Sequence, residues 1–203
     1  MTQDPLLLSK ARLEALVDGV LAIAMTILIL EVKVPELADR RSAAELFHAL
    51  GHALPTLLAY FFSFGMLAAF WVWHHRLAAK VERLDGWLIA ISLGFLSLVS
   101  FFPFAAALLG RYPLNAGSLG VYMPAVEGIL LCQVGFFAHA RRRGLLDPDL
   151  PAAESLAIHR RNLKGAIFFT FWSSPSLLRL GLIWAVVPLL LGILLVVALR
   201  RSR

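Results

Sequence analysis

The sequence predicts an all-α membrane protein, a single domain with six transmembrane helices. Hydrophobic residues make up 60% of the 203 residues, and the mean hydropathy of +0.78 is typical of polytopic membrane proteins rather than of soluble domains. Uncharged apolar stretches recur along the chain. The chain shows no internal repeat of a six-helix unit, so residues 1–203 are predicted to form one domain.

The first apolar segment, residues 12–35, is too short in its uncharged part for an ordinary lipid-facing helix. Between Asp18 and Glu31 lie 12 uncharged residues, which cover roughly 18 Å of a hydrocarbon core about 30 Å thick. An unshielded carboxylate inside that core costs about 2.5 kcal/mol or more. The segment is therefore expected inside a bundle, and a tilted or interfacial helix is the alternative.

Five further helices are predicted from the remaining apolar stretches. They cover residues 53–73, 86–110, 119–140, 165–178 and 180–199. The third of these joins two uncharged runs across Glu127. The stretch 165–178 is shorter than the roughly 20 residues that a span needs, so this helix is predicted to include Lys164 or to bend at Pro175.

The distribution of Lys and Arg predicts the orientation, because basic residues near the ends of spans remain in the cytoplasm. With six spans, one side holds Lys10, Arg12, Arg76, Lys80, Arg83, Arg141, Arg142, Arg143, Arg160, Arg161, Lys164, Arg200, Arg201 and Arg203. The other side holds Lys33, Arg40, Arg41, Arg111 and Arg179. This asymmetry predicts a multi-pass protein of the cell membrane with both termini in the cytoplasm. Anionic lipid explains the net charge of +6, and no nucleic-acid partner is expected.

Metal and cofactor chemistry is not expected. Cys132 is the only cysteine, so no thiolate cluster can form within one chain. His74, His75, His139 and His159 show no pair with convincing ligand spacing, which disfavours a haem protein or a membrane enzyme. We therefore predict that the protein is not an enzyme and has neither a metal nor a cofactor.

The first helix has two faces of different chemistry at about 100° per residue. One stripe contains Arg12, Leu16, Gly19, Ile23, Thr26, Ile27 and Leu30. The opposite face contains Asp18, Ala22, Met25 and Ile29. Taken alone, the i, i+4, i+7 spacing of Ile23, Ile27 and Leu30 favours a helix-packing face, on which Thr26 bonds back to its own helix.

Asp18 needs a partner, because an isolated carboxylate at that depth is costly. The candidates are Arg12, His74 and His75, all predicted on the cytoplasmic side. Adjacent histidines on a helix point about 100° apart and seldom bind one metal ion. The sequence therefore predicts a structural cluster of Arg12, Asp18 and one of the two histidines.

Glu127 and Gln133 are polar residues inside the fourth predicted span. An ionisable residue in a membrane is a functional candidate by default. A hydrogen-bonded contact between helices and a part in ion or proton movement are equally compatible with the sequence.

Three motifs resemble one known family. Arg-x-x-x-Leu-Val-Asp-Gly-Val-Leu-Ala-Ile begins at Arg12, Thr-x-x-x-x-Glu-x-Lys-Val-Pro begins at Thr26, and Phe-Trp-x-x-His-His ends at His75. Together they resemble the first and second helices of the transmembrane protein 175 family of potassium channels, bacterial branch. Leu16 and Val17 stand where that family usually has Phe and Ser, which alters the hydrogen bonding expected around Asp18.

The resemblance implies a homotetramer in which each first helix lines a central pore. Family members with two six-helix units form dimers, and this chain has one unit. The implied pore layers are Ile23, Thr26 or Ile27, and Leu30, which form a hydrophobic constriction that gates by dewetting. The resemblance thus favours a pore face over the packing face. It implies permeant potassium with a modest preference over sodium and other monovalent cations.

A proton-coupled secondary transporter with Glu127 as the carrier is the alternative. Such a transporter predicts saturable, gradient-coupled flux, and it usually has an internal repeat. Unitary conductance would distinguish a channel from it.

Overall fold

The computed structural model describes residues 9–178, except residue 114, and this part folds into five α-helices. In chain order they are α1 (Lys10–Ile27), α2 (Ala43–Ala78), α3 (Gly86–Arg111), α4 (Ala116–Arg142) and α5 (Ala152–Leu178). A 3-10 turn, Leu28–Glu31, continues α1. The sixth predicted helix, residues 180–199, lies outside the described residues.

The first four helices each begin at a polar side chain that accepts a hydrogen bond from a free backbone N–H. The capping residues are Ser9, Ser42, Asp85 and Asn115. These residue types are the strongest helix caps, because their short side chains replace a missing intrahelical acceptor. At α2 the Glu45 carboxylate also accepts hydrogen bonds from the backbone N–H groups of Ala38 and Asp39, at 2.7 and 3.0 Å. The connection between α1 and α2 is thereby tied to the start of α2.

Two predicted helix starts are wrong. α2 begins at Ala43 rather than at residue 53, and α5 begins at Ala152 rather than at residue 165. The uncharged stretches used for the prediction are shorter than both helices. A helix can continue past such a stretch, because long charged side chains extend to water while their backbone remains helical. In the first apolar segment, residues 12–35, regular α-helix ends at Ile27 and residues 32–35 follow the 3-10 turn.

Four helices of the described chain are long and apolar enough to cross a membrane. They are α1 with its 3-10 turn, α2, α3 and α4. The described part of α5 is not among them. Its first half carries Glu154, Arg160, Arg161 and Lys164, which lower its hydropathy. The protein is a multi-pass membrane protein.

α3 lies at the centre of the bundle and packs against α1, α2 and α4, while α5 packs against α4. Aromatic side chains fill the centre, where the rings of Phe102 and Tyr122 lie 5.1 Å apart. The Tyr122 hydroxyl shares a hydrogen bond of 3.2 Å with the Ser63 hydroxyl. In a bilayer, close packing and interhelical hydrogen bonds hold helices together, because lipid is as apolar as the helix surfaces.

Two connections meet at one end of the bundle. The backbone N–H of Glu82 donates to Leu145 O at 2.9 Å, and the N–H of Asp147 donates to Lys80 O at 3.0 Å. The start of α1 lies at the same end, since Leu13 lines a small cleft with Val81 and other residues there. This end, called the basic end below, collects Lys10, Arg12, Arg76, Lys80, Arg83, Arg141, Arg142 and Arg143. α5 begins there, and Arg160, Arg161 and Lys164 follow about two to three helical turns along it.

Candidate functional site

One face of α1 anchors the helix to the bundle. The buried side chains of this face are Leu13, Val17, Leu21, Ala24 and Leu28. Their spacing of three or four residues places them on a single side of the helix. All but Leu13 belong to the main hydrophobic core, together with residues of α2, α3 and α4. Val17 therefore serves as a packing residue.

The predicted stripe of α1 lies outside this packed face. Ile23 is 58% exposed, Ile27 is 41% exposed and Leu30 is 65% exposed, and Thr26 is exposed as well. Periodicity alone favoured packing of these side chains, but residues 9–178 leave them exposed. This part of the chain therefore leaves the stripe to face lipid, another copy of the chain or an aqueous path.

Thr26 is the polar member of the stripe. Its hydroxyl donates a hydrogen bond of 2.8 Å to the backbone oxygen of Ile23. This is the back-bonding to its own helix that the sequence predicts. Because the hydroxyl hydrogen is used inside the helix, the oxygen is left as an acceptor on an exposed apolar face. Such an oxygen can contact a cation or water.

Asp18 is paired with a tryptophan of α2. The Trp71 indole N–H donates to the Asp18 carboxylate at 2.8 Å. Among the described residues, no carboxylate lies within ion-pair distance of Arg12, which is exposed. The His75 ring lies 6.0 Å from the Trp71 ring and is also exposed. The structure thus pairs Asp18 with Trp71, beside which His75 lies, and among the described residues neither Arg12 nor a histidine forms a hydrogen bond or ion pair with Asp18.

His74 points into the core, away from His75. Its ring stacks on Phe95 with the centroids 4.7 Å apart, and it lies 5.2 Å from the Phe136 ring. Only 5% of His74 is exposed, and its Nδ1 has no hydrogen-bond partner among the described residues. This environment fits a packing role at the junction of α2, α3 and α4.

The two polar residues of α4 make contacts between helices. Glu127 is 5% exposed and accepts a hydrogen bond of 2.6 Å from the Thr170 hydroxyl of α5. Gln133 is 1% exposed, and its amide donates to the backbone oxygen of Phe70 in α2 at 3.1 Å. Both residues therefore form hydrogen bonds between helices, which is one of the two roles that the sequence left open for them.

Two residues of these contacts were not among the predicted site residues. Trp71 lies in the Phe-Trp-x-x-His-His motif. Its indole N–H is a donor that needs an acceptor when the ring is half-buried, and this need could have identified the residue from the sequence. Thr170 gave no comparable signal, because a single threonine in an apolar helix usually bonds back to its own helix. It does so here too, at 3.0 Å from Ala166 O.

In residues 9–178, no three His, Cys, Asp or Glu side chains are grouped closely enough to hold a metal ion. His139 instead pairs with Asp85 at 2.7 Å. His159 is buried, and that burial, together with the nearby Arg141 and Arg142, lowers the pKa of its imidazole. These histidines therefore serve separate helix contacts.

Comparisons with known proteins agree on one family. A sequence model described as "Endosomal/lysosomal potassium channel TMEM175" matches residues 12–103, which include the stripe of α1 and Trp71. The chain is 34% identical over 190 residues to a potassium channel of Streptomyces collinus, an alignment that covers 90% of this chain and 86% of that protein. It is 42% identical over 97 residues to an endosomal/lysosomal proton channel of Gallus gallus, covering 44% of this chain and 19% of that protein.

The fold is also similar to a solved structure. The crystal structure of a lysosomal potassium-selective channel TMEM175 homolog from Chamaesiphon minutus superimposes with a TM-score of 0.72 at 28% sequence identity. The superposition covers 96% of this chain and 98% of that chain. The likeness therefore extends well beyond the first two helices.

Proposed function

This chain belongs to the TMEM175 family of ion channels, and from that membership we propose that it is a potassium channel whose pore is lined by α1. The family relationship confirms the resemblance found in the motifs of α1 and α2. It also makes the chain a member of a channel family rather than of an enzyme family. The pore position, the gate and the selectivity are the proposed parts.

The exposed stripe of α1 is the observation that carries the pore assignment. One face of α1 packs against the bundle, while Ile23, Ile27 and Leu30 are exposed on another face. Because only 12 uncharged residues separate Asp18 from Glu31, lipid solvates this helix poorly. Copies of α1 around a symmetry axis would shield the charged ends from lipid and surround a conduit.

The rings of aliphatic side chains in such a conduit form the proposed gate. A narrow apolar constriction expels water and leaves an ion unsolvated, so opening requires the constriction to widen. Alkyl groups cannot replace a hydration shell, which leaves the Thr26 oxygen and backbone oxygens as the polar groups. We therefore expect a modest preference for potassium over sodium.

The assembly proposed is a homotetramer of six-helix subunits in the cell membrane. The structural likeness to a solved channel subunit over 98% of that chain supports one such unit per chain. The basic end supports an orientation with the start of α1 in the cytoplasm, because basic residues resist transfer across the membrane. A sixth helix after α5 would return the chain to that side.

A matched pair of isoleucine variants tests the pore. Ile23 and Ile29 are both exposed, at 58% and 45%, but they lie on different faces of the first helical segment. We expect Ile23→Asn to raise potassium flux into liposomes several-fold and to reduce the potassium preference, because an amide hydrates the constriction. Leu30→Ser should act in the same direction. Ile29→Asn is the control and should leave the flux near that of the native protein.

Equal flux in native protein and in the Ile23 and Leu30 variants would contradict the pore assignment, as would an equal increase in the Ile29 variant. The alternative, a proton-coupled transporter with Glu127 as carrier, predicts gradient-coupled flux that saturates and stops in Glu127→Gln. Unitary currents that persist in Glu127→Gln would exclude it. Glu127 faces α5 through Thr170, whereas the proposed pore lies on α1.

A further inference from the structure

A groove runs between α2 and α5 at the basic end, away from the stripe of α1. Its volume is about 1100 Å³. Its polar half is lined by Arg76 of α2, by Lys80 just after the end of α2 and by Arg161 of α5. We propose that this groove binds one anionic phospholipid, with the phosphate against these three cations. The proposal does not depend on ion conduction.

The charge of the groove favours an anion. Lys80 forms a 3.7 Å ion pair with Glu154, and both side chains are about half exposed, so this pair is weakened by water. Among the described residues, no carboxylate lies within ion-pair distance of Arg76 or Arg161. A phosphate accepts several charge-assisted hydrogen bonds from arginine and suits such a group.

The same charge argues against the basic segment 200–203 as the occupant. It contains Arg200, Arg201 and Arg203 and no carboxylate side chain. A second basic segment would be repelled from three cations. Anionic lipid headgroups, in contrast, attract basic residues at a membrane surface.

Asn162 supplies a second, independent observation. Its side chain lines the groove and is 4% exposed. Its amide oxygen accepts a hydrogen bond from the Trp73 indole at 3.2 Å, while its amide nitrogen has no partner among the described residues. A buried donor without an acceptor is costly, and a phosphate or ester oxygen seated deep between the helices would satisfy it.

The other half of the groove is apolar, which favours a lipid over a soluble phosphate. Ala68, Ala69 and Val72 of α2 line it. Ala68 lies two helical turns, about 12 Å, before Arg76, towards the middle of α2. An acyl chain can lie along these small side chains while the phosphate remains at the basic end.

Native mass spectrometry of the full chain in detergent tests the proposal. Delipidated protein is titrated with phosphatidylglycerol or with phosphatidylcholine of the same acyl chains, and with glycerol 3-phosphate as a headgroup without chains. We expect one phosphatidylglycerol per chain, bound at least about tenfold more tightly than phosphatidylcholine, and no saturable binding of glycerol 3-phosphate. Arg161→Gln should weaken phosphatidylglycerol binding about fivefold, and adding Arg76→Gln should weaken it further.

Arg160→Gln is the matched control, because it removes the same charge from the neighbouring position of α5 but does not line the groove. It should change the affinity less than twofold. Equal loss in the Arg160 and Arg161 variants would overturn the proposal, and so would equal binding of the two lipids, which would show that the groove does not select an anionic headgroup. Absence of saturable binding of either lipid would also overturn it and would favour a second copy of the chain as the occupant. Tight binding of glycerol 3-phosphate would assign the site to soluble phosphates instead.

Discussion

At the scale of single residues, the helices are joined by a few polar contacts between helices far apart in the sequence. Asp18 with Trp71 joins α1 to α2, and Asp85 with His139 joins the start of α3 to the end of α4. Each pairs a carboxylate with a ring N–H. A hydrogen bond to a charged group is stronger than one between neutral groups, so these contacts fix the relative positions of the helices.

The contact between Asp18 and Trp71 can be tested with Trp71→Phe. Phenylalanine keeps much of the ring but removes the indole N–H, so the carboxylate loses its donor. Because Trp71 is 38% exposed, we expect a loss of about 1 kcal/mol and a melting temperature lower by about 2–4 °C. Trp87→Phe, at an exposed position of α3, is the control.

A double-mutant cycle separates this contact from general packing. If the hydrogen bond contributes, Asp18→Asn should cost less in Trp71→Phe protein than in native protein. Fully additive effects of the two substitutions on unfolding would show that the two side chains do not act together.

The pair of Asp85 and His139 makes stability depend on pH. Partial burial raises the pKa of the Asp85 carboxyl, but hydrogen bonds from His139 and from the Leu88 backbone N–H outweigh burial and hold that pKa below its usual value. The ionised carboxylate therefore adds stability above the ordinary pKa of about 3.9. That contribution is lost as the pH falls through the lowered pKa of the folded protein.

Asp85→Asn removes the charge and keeps a residue that caps α3 well. We expect the native protein to melt above the variant at pH 7, by a few degrees, and the two curves to converge as the pH falls below about 4. Melting temperatures of both proteins, measured in detergent across this pH range, test whether the difference shrinks towards acid. A gap that widens towards acid would contradict the lowered pKa.

At the scale of helices, close approaches of backbone depend on glycine. A Cβ built on Gly110 of α3 would lie 3.1 Å from the Thr56 Cα of α2. The Thr56 hydroxyl also donates to Gly110 O at 3.3 Å. Small residues at such crossings let helices pack closely in a membrane.

Gly110→Ala should force α2 and α3 apart and cost about 1–3 kcal/mol, because the nearest atom belongs to the backbone and cannot rotate away. Gly94→Ala is the control in the same helix, since a Cβ there meets nothing within 4 Å. It should be neutral or stabilising, because alanine favours helix over glycine. Thermal unfolding of both variants measures the difference, and equal melting temperatures would contradict close packing at this crossing.

At the scale of the whole molecule, the basic end predicts the orientation in the membrane. Ser9 precedes α1 at the basic end, and Val34, which is 89% exposed, follows the 3-10 turn at the other end. In a Cys132→Ser background, Ser9→Cys should react with an impermeant maleimide only in inverted vesicles. Val34→Cys should react in intact cells. The reverse pattern would invert the proposed topology, and labelling of both from one side would show that α1 does not span.

The sequence by itself determined the all-α membrane class and the family, and it grouped the stripe of α1, whose role in a pore stays a prediction. These features follow from hydropathy, residue spacing and contiguous motifs, all of which are local along the chain. Counting Lys and Arg on alternate sides of the predicted spans likewise put the residues of the basic end on one side. This works because each span carries the chain to the opposite side of the membrane.

Only the tertiary structure decided which residues meet. It paired Asp18 with Trp71 rather than with Arg12, turned His74 into the aromatic core, and joined Glu127 to Thr170. These partners are tens of residues apart, so their contact depends on how the helices cross, and spacing within one helix carries no such information. The early starts of α2 and α5 escaped prediction for a related reason: the environment of a charged side chain is set by the fold around it. The groove at the basic end escaped prediction with the start of α5, which forms one of its walls.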